Sequence, residues 1–138
     1  METVFDIVID IVSSYRELPS DYIDINELMF HRKQLSTYAV TMGTEIGIAR
    51  REWKVAEAKL ELAKNEHRIS YERLGTTKAD WYAKVNTEEL LNDMTEKEAL
   101  YWKLDYVFKA VREVLSEMNQ RISYLREEEK QTKYFGND

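Results

Sequence analysis

Apolar residues recur with helical spacing through much of the second half of this 138-residue chain. Successive members are three, four, three, four, three, four and three residues apart, without interruption. The series is Tyr101, Leu104, Phe108, Val111, Leu115, Met118, Ile122 and Leu125. This spacing puts one apolar stripe on a single α-helix, which must bury it against another helix. The sequence predicts this helix over residues 95–130, opening at a Thr95-x-x-Glu98 capping box and followed by a frayed tail at 131–138.

A heptad pattern predicts a second long helix over residues 24–75. Every seventh residue from Leu28 to Ala63 is apolar, and the positions four residues later continue the seam to Leu74 with few faults. The candidate caps are Asp24 or Asn26 at the start and Gly75 at the end. Two long helices therefore account for most of the chain.

The remaining segments predict one short helix and one long loop. Residues 1–20 are consistent with a helix or a strand, and the helix is favoured because no other segment offers a strand partner. Pro19 ends this element, since proline cannot continue a helix. Residues 76–94 have no sustained period and are predicted as the loop between the long helices.

The expected fold is all-α: one domain of residues 1–138, built as an elongated hairpin of two long helices with a short N-terminal helix. Only four glycines and one proline are present, which disfavours turn-rich β folds. A helix of about 45 residues is about 68 Å long, far beyond the radius of gyration of about 14 Å for a compact chain of this size. We therefore expect a homo-oligomer that closes through the helical seams. The residues expected to hold the hairpin or the oligomer are Leu104, Phe108, Val111, Leu115, Met118 and Ile122.

The residue types disfavour an enzyme, and neither a catalytic residue, a cofactor nor a metal site is expected. The chain has no cysteine, and its two histidines, His31 and His67, lie 36 positions apart on one predicted helix. Asp6 and Asp10 share a helical face, but a solvated surface explains them better than a metal or a catalytic pair. No apolar run approaches a membrane span, and acidic residues interrupt the N-terminal apolar run, so we expect a cytoplasmic protein without a membrane partner.

Charge is distributed unevenly along the chain. The net charge is −6, yet residues 50–78 hold eight basic and five acidic residues, a local excess of +3. The candidate nucleic-acid contacts in this segment are Arg50, Arg51, Lys54, Lys64 and Arg68. Many of these bases have a glutamate within helical reach, so a salt-bridged, solvated face is the alternative interpretation.

Aromatic residues in the predicted loop leave two interpretations open. Trp81 and Tyr82 stand near Lys78 and Lys84, a combination that serves as a stacking platform for single-stranded nucleic acid. Equally, the two rings could hold the loop against the helices. Trp53, on the heptad seam, is interpreted as a core residue.

Several segments resemble the phage UvsY-type recombination mediators. The likeness begins at Tyr22-Ile23-Asp24 with Leu28 and Phe30, and continues through Arg50-Arg51-Glu52 and Glu57-Ala58 to Ala63 and Tyr71. It resumes at Tyr101-Trp102 and at Gln120-Arg121-Ile122, and covers about residues 20–126.

The resemblance implies a non-catalytic phage protein, in the cytoplasm of the infected host cell, that forms a ring-like homo-oligomer. Such proteins bind single-stranded DNA and help a RecA-like recombinase displace the single-strand-binding protein. Where the family has a basic DNA-contacting pair, this chain has Asn65 and His67, flanked by Lys64 and Arg68. His67 thereby joins the candidate DNA contacts. The alternative function is a phage protein-interaction module or an inhibitor of a host defence enzyme, whose acidic surface, for example Glu127–Glu129, mimics DNA.

Overall fold

The computed structural model describes residues 3–19, 21 and 24–135, without the side chains of residues 134 and 135. Over these residues the chain forms four α-helices, one short 3-10 helix and no strand, which confirms the predicted all-α class. The helices are α1 at Val4–Arg16, α2 at Ile25–Ser70, α3 at Thr76–Asn86 and α4 at Glu88–Phe135, with the 3-10 helix at Glu72–Leu74. Tyr22 and Ile23 of the resemblance, and residues 136–138 of the expected tail, lie outside the described residues.

Local hydrogen bonds fix the starts of α1 and α2. Thr3 and Asp6 form a capping box, in which the Thr3 hydroxyl accepts from the Asp6 amide at 3.3 Å and the Thr3 amide donates to Asp6 Oδ2 at 3.0 Å. Asp24 is the cap of α2, because its Oδ1 accepts from the Glu27 amide at 3.1 Å. Each cap satisfies an amide that the first helical turn would otherwise leave without an acceptor.

The predicted loop over residues 76–94 is wrong, because α3 and the first turns of α4 occupy it. Gly75 has φ 91° and ψ 159°, a conformation open to glycine, and it turns the chain after the 3-10 helix. Its carbonyl then accepts from the Ala79 amide at 3.0 Å, which begins α3 within one residue. A single residue therefore makes the turn for which the sequence suggested a long loop.

The predicted start of the last helix at residue 95 is also wrong. Thr87 ends α3: its buried hydroxyl donates to the Ala83 carbonyl at 2.6 Å, and its own carbonyl accepts from the Leu91 amide at 2.9 Å. α4 consequently begins at Glu88, with two glutamates in its first turn, where the helix dipole favours negative charge. The Thr-x-x-Glu motif at Thr95 lies inside the helix.

α4 also continues beyond residue 130, into the segment predicted as a frayed tail. Ion pairs one turn apart support this extension: Lys130 to Glu127 at 3.8 Å and Lys133 to Glu129 at 3.7 Å. Such pairs each stabilise an exposed helix by about 0.2–0.5 kcal/mol. The acidic cluster at 127–129 is therefore partly neutralised within α4.

The structure separates into two compact units, where the sequence predicts one domain. Unit 1 comprises residues 1–44 and 104–138, and unit 2 comprises residues 45–103. The core of unit 1 joins α1, the first part of α2 and the second part of α4. Its buried residues are Val8, Val12, Leu35, Met42, Val111, Val114 and Met118. Burial of such side chains supplies the main favourable term in folding, about 1.5–3 kcal/mol for each large aliphatic residue.

Half of the residues expected to hold an oligomer are buried within unit 1 itself. Val111, Met118 and Ile122 are at most 1% exposed, while Leu104, Phe108 and Leu115 are half-buried. Phe108 and Leu115 pack against the same core as α1 and α2. These side chains are therefore already used within one chain, and an interface between copies needs another surface.

The buried residues of unit 2 are mostly small. They are Ala49, Ala56 and Leu60 of α2, Ala79 and Ala83 of α3, and Thr87. Alanines allow helix backbones to approach closely but bury little apolar area each.

No described helix is long and apolar enough to cross a membrane.

Candidate nucleic-acid interface

The six residues predicted to contact nucleic acid all lie on the part of α2 within unit 2. The exposed members are Arg50, Arg51, Lys54 and Arg68, and the half-buried members are Lys64 and His67. Residues three or four apart are neighbours on a helix surface. α2 therefore places Arg50 and Arg51 one turn from Lys54, and Lys64 one turn from Arg68.

Three of the five bases have acidic partners. Lys54 lies 3.5 Å from Glu57, Lys64 lies 3.9 Å from Glu61, and Arg68 Nε donates to Asp80 Oδ1 at 3.0 Å. Arg68 Nη1 also donates to the Asn65 side chain at 3.2 Å. For these three residues the salt-bridged interpretation of the sequence describes the structure well.

Arg50 and Arg51 differ from the other bases, because neither forms an ion pair within the described part of the chain. Both side chains are exposed. A guanidinium group without a carboxylate partner can bind a phosphate without first losing an internal contact. These two arginines are therefore the best placed of the predicted residues to contact a nucleic-acid backbone.

Beside them lies an aromatic group that we call the Trp53 cluster, formed by Trp53, Lys54, Tyr101 and Trp102. The Trp53 and Tyr101 rings stack at 5.3 Å with an interplanar angle of 27°, and Trp102 lies 6.1 Å from Trp53. Lys54 Nζ is 4.1 Å from the centroid of the Trp53 ring, a cation–π contact. The cluster joins α2 to α4 within unit 2.

Trp53 and Trp102 have different accessibility. Trp53 is half-buried, and its indole N–H is buried without an acceptor among the described residues. Such a donor costs about 1–3 kcal/mol, which stacking on Tyr101 and the Lys54 contact offset in part. Trp102 is 50% exposed, so part of its ring is accessible to a base. Trp53 therefore supports the cluster and Trp102 presents it to solvent.

The sequence patterns did not single out Trp102 as an exposed member of an aromatic cluster. They placed Trp53 and Tyr101 on separate apolar seams but did not pair them. Two apolar seams that pack together bring their aromatic residues into contact. A predicted packing of the two seams would therefore have indicated the contact between Trp53 and Tyr101. The exposed position of Trp102, next to Tyr101 in the chain, follows from that contact.

Trp81 and Tyr82 lie on α3 rather than in a loop. The Tyr82 ring stacks on Tyr71 at 4.4 Å with an interplanar angle of 16°, which holds α3 against the segment after α2. Trp81 meets Tyr82 edge to face at 4.9 Å and is 58% exposed. Tyr82 thus has the packing role, whereas Trp81 is a second accessible ring.

His67 contributes less accessible surface than the basic residues. Its side chain is half-buried on the same side of α2 as Leu60, seven residues earlier. Its carbonyl accepts from the Tyr71 amide at 3.1 Å, at the end of α2. His31 lies 3.6 Å from Glu27 in unit 1. Over the residues that the structure covers, no group of three or more His, Asp or Glu side chains could hold a metal ion.

Comparison of the chain with protein-family models, with curated proteins and with solved structures gives no match.

Proposed function

We propose that this chain is a non-catalytic protein that binds single-stranded DNA through the Trp53 cluster and the adjacent bases. One observation carries the proposal: Trp102 presents an accessible ring in a cluster whose Trp53 and Lys54 lie one helical turn from Arg50, an arginine without an ion pair in the described chain. Proteins that bind single strands combine stacking rings with a basic surface that follows the phosphates. Arg50 and Arg51 supply the charge, and Trp102 supplies the stacking surface.

The remaining bases have a supporting role in this proposal. A phosphate competes with Glu61 for Lys64 and with Asp80 for Arg68. Each of these bases therefore contributes less binding free energy than a base without an ion pair. The net charge of −6 opposes DNA at long range, whereas the +3 segment attracts it locally. Such a surface gives weak binding for one chain and strong salt dependence. A homo-oligomer would strengthen it, since linked weak sites act at a high effective concentration.

The finer proposal is a recombination mediator that helps a RecA-like recombinase load on DNA covered by the single-strand-binding protein. The resemblance to UvsY-type mediators supports it, together with the exposed arginines and the accessible Trp102 ring of unit 2. Its test is a strand-exchange reaction in which the single-strand-binding protein blocks the recombinase. Addition of the chain relieves the block if the proposal is right, and leaves it in place if the chain only binds DNA.

Inhibition by DNA mimicry is the alternative, and it would depend on acidic surfaces such as Glu127–Glu129. In α4, Glu127 and Glu129 lie close to Lys130 and Lys133, which reduces the negative field at that end. DNA mimicry predicts no affinity for DNA at any salt concentration.

Titration of a labelled oligothymidine at two salt concentrations tests the DNA-binding proposal directly. We expect binding at about 50 mM salt that weakens at least tenfold by about 200 mM, because cations are released from the strand on binding. Absence of binding at low salt would refute the proposal and favour DNA mimicry.

A further inference from the structure

α2 carries a second apolar stripe that no described part of the chain covers. We call it the outer stripe; its members are Ile48, Val55, Leu62 and Ile69. They are spaced by seven residues and are 49%, 46%, 62% and 72% exposed, respectively. Seven residues make nearly two helical turns, so the four side chains lie on one side of the helix. All four belong to unit 2.

The outer stripe has the pattern of a helix-pairing seam. The positions three residues after its first three members are Arg51, Ala58 and Asn65, which gives alternating steps of three and four along the helix. Only Ala58 of these three is apolar, so the apolar surface of the seam comes mainly from the outer stripe itself. The buried members of this part of α2, Ala49, Ala56 and Leu60, lie on another side. α2 is therefore amphipathic twice, with one apolar face buried inside unit 2 and the other left without a partner.

We propose that the outer stripe pairs in antiparallel orientation with the same stripe of a second copy of this chain. The charges along its two edges select this occupant. One edge carries Glu52, Lys59 and Glu66, and the other edge carries Lys54, Glu61 and Arg68. On each edge the sign alternates every seven residues, so the alignment of two copies decides whether facing charges attract or repel.

A parallel dimer in register is disfavoured by these edges. In that geometry Lys54 faces Lys59 of the second copy, and Glu61 faces Glu66 of the second copy. An antiparallel pair that sets Val55 against Ala58 of the second copy reverses the outcome. There Glu52 faces Lys59 and Lys54 faces Glu61, each twice by symmetry.

Neighbouring antiparallel registers satisfy the stripe less well. A shift that brings Lys59 opposite its own counterpart makes every facing pair between residues 52 and 68 alike in sign. In the next register Lys59 lies opposite Glu66 of the second copy. Only residues 57–70 are then paired, and Ile48 and Val55 remain uncovered. The chosen register covers residues 48–65 and retains one unfavourable pair, Glu45 facing Glu66, towards its ends.

Glu52 and Lys59 are free to make this contact. Neither has an oppositely charged residue three or four positions away, and neither forms an ion pair in the described chain. By contrast, Lys54 and Glu61 already have partners within α2, at 3.5 and 3.9 Å. Glu52 and Lys59 are therefore the pair whose charge reports on the dimer rather than on the isolated helix.

The dimer deepens the proposed DNA-binding function. Two-fold symmetry places the same edge of both copies on one side of the interface. Arg51 lies in the interface of the dimer and is no longer available to a strand, whereas Arg50, Lys54, Lys64 and Arg68 of each copy lie along a common side, where they outnumber Glu57 and Glu61. A strand can contact both sets at once, which raises its affinity beyond that of one chain.

Sedimentation equilibrium without nucleic acid tests the dimer, using the whole chain, K59E, E52K and the double variant E52K/K59E. We expect the wild-type chain to dimerise and each single variant to dimerise about tenfold or more weakly, because two attractive contacts become repulsive. The double variant restores the opposite charges and the wild-type affinity. K33E, an exposed charge reversal on α2 in unit 1, leaves association unchanged.

Four results would overturn the proposal. The first is a wild-type chain that is monomeric at about 100 µM, where a micromolar Kd would populate the dimer. The second is that the single variants associate as tightly as the wild type. The third is tighter association of K59E, which indicates parallel pairing, and the fourth is a double variant that does not recover the wild-type affinity, which indicates another register. Since the measurement contains no DNA, a monomer leaves the binding proposal standing. If the chain dimerises but does not bind oligonucleotides, the DNA-binding proposal is refuted and the dimer proposal stands.

Discussion

The Lys54 ammonium group lies 4.1 Å from the centre of the Trp53 ring, on the segment of α2 that also carries Arg50 and Arg51. The contact holds a positive charge beside an aromatic cluster whose exposed member is Trp102. Charge and stacking surface thus occur together in unit 2.

Replacement of Trp102 with alanine should weaken binding of single-stranded DNA. Stacking of one base on an aromatic ring contributes about 1–3 kcal/mol, so the Kd should rise by about 5- to 150-fold. Fluorescence anisotropy of a labelled oligothymidine measures the change, and circular dichroism checks that the helices persist. W81A removes a ring of similar exposure from α3 and serves as the control. A larger loss of affinity in W81A would place the stacking surface on α3 instead.

Alanine should have opposite effects at two glycines. Gly75 has φ 91° and ψ 159°, a backbone conformation that residues with a Cβ atom rarely adopt. G75A should therefore destabilise the chain by about 1–3 kcal/mol. Gly43 lies within α2 with open space where a Cβ would point, so G43A should stabilise it by about 0.5–1 kcal/mol. Denaturant unfolding compares both variants with the wild type. Equal effects would contradict the different roles of the two positions.

Leu35 should be among the most sensitive core positions of unit 1. It is fully buried in the cluster that joins α1, α2 and α4, and truncation to alanine leaves a cavity. L35A should lower the free energy of unfolding by about 2–5 kcal/mol. V40A is the control on the same helix, because Val40 is 75% exposed and its truncation should change stability by about 0.5 kcal/mol or less. Similar losses in the two variants would mean that the described core is wrong.

The long helices were predictable because their apolar periods are regular. The series from Leu28 to Ala56 repeats every seven residues, and each of its five members is buried. The stripe on α4 likewise supplies Val111, Met118 and Ile122 to the interior of unit 1. Burial enforces such periods, so a sequence reveals them without a structure.

α3 was missed because its buried residues carry a weak signal. Ala79 and Ala83 are buried but small, so two alanines four residues apart did not stand out as an apolar stripe against the flanking polar residues. The turn at Gly75 depends on one backbone conformation that glycine permits but does not require. The end of α3 depends on the hydroxyl of Thr87, which has no pattern in the sequence.

The candidate site was predictable in part. The basic segment from Arg50 to Arg68 lies on α2 as expected, but the ion pairs of Lys54, Lys64 and Arg68 depend on which carboxylates are near in space. Asp80, the partner of Arg68, belongs to α3 and could not be assigned while that segment was predicted as a loop. The accessible face of Trp102 depends in the same way on the packing of α4 against α2 within unit 2.

The most direct test of the account is the salt dependence of DNA binding by the wild-type chain, R50E and K33E. Arg50 lies outside the outer stripe, so its reversal leaves the proposed dimer contacts intact. We predict that R50E weakens binding at low salt about tenfold or more and lowers the slope of log Kd against log salt by about one. K33E, which changes the same charge elsewhere on α2, should match the wild type. Equal affinity and slope in all three proteins would contradict the assignment of the Arg50 region as a DNA-binding surface.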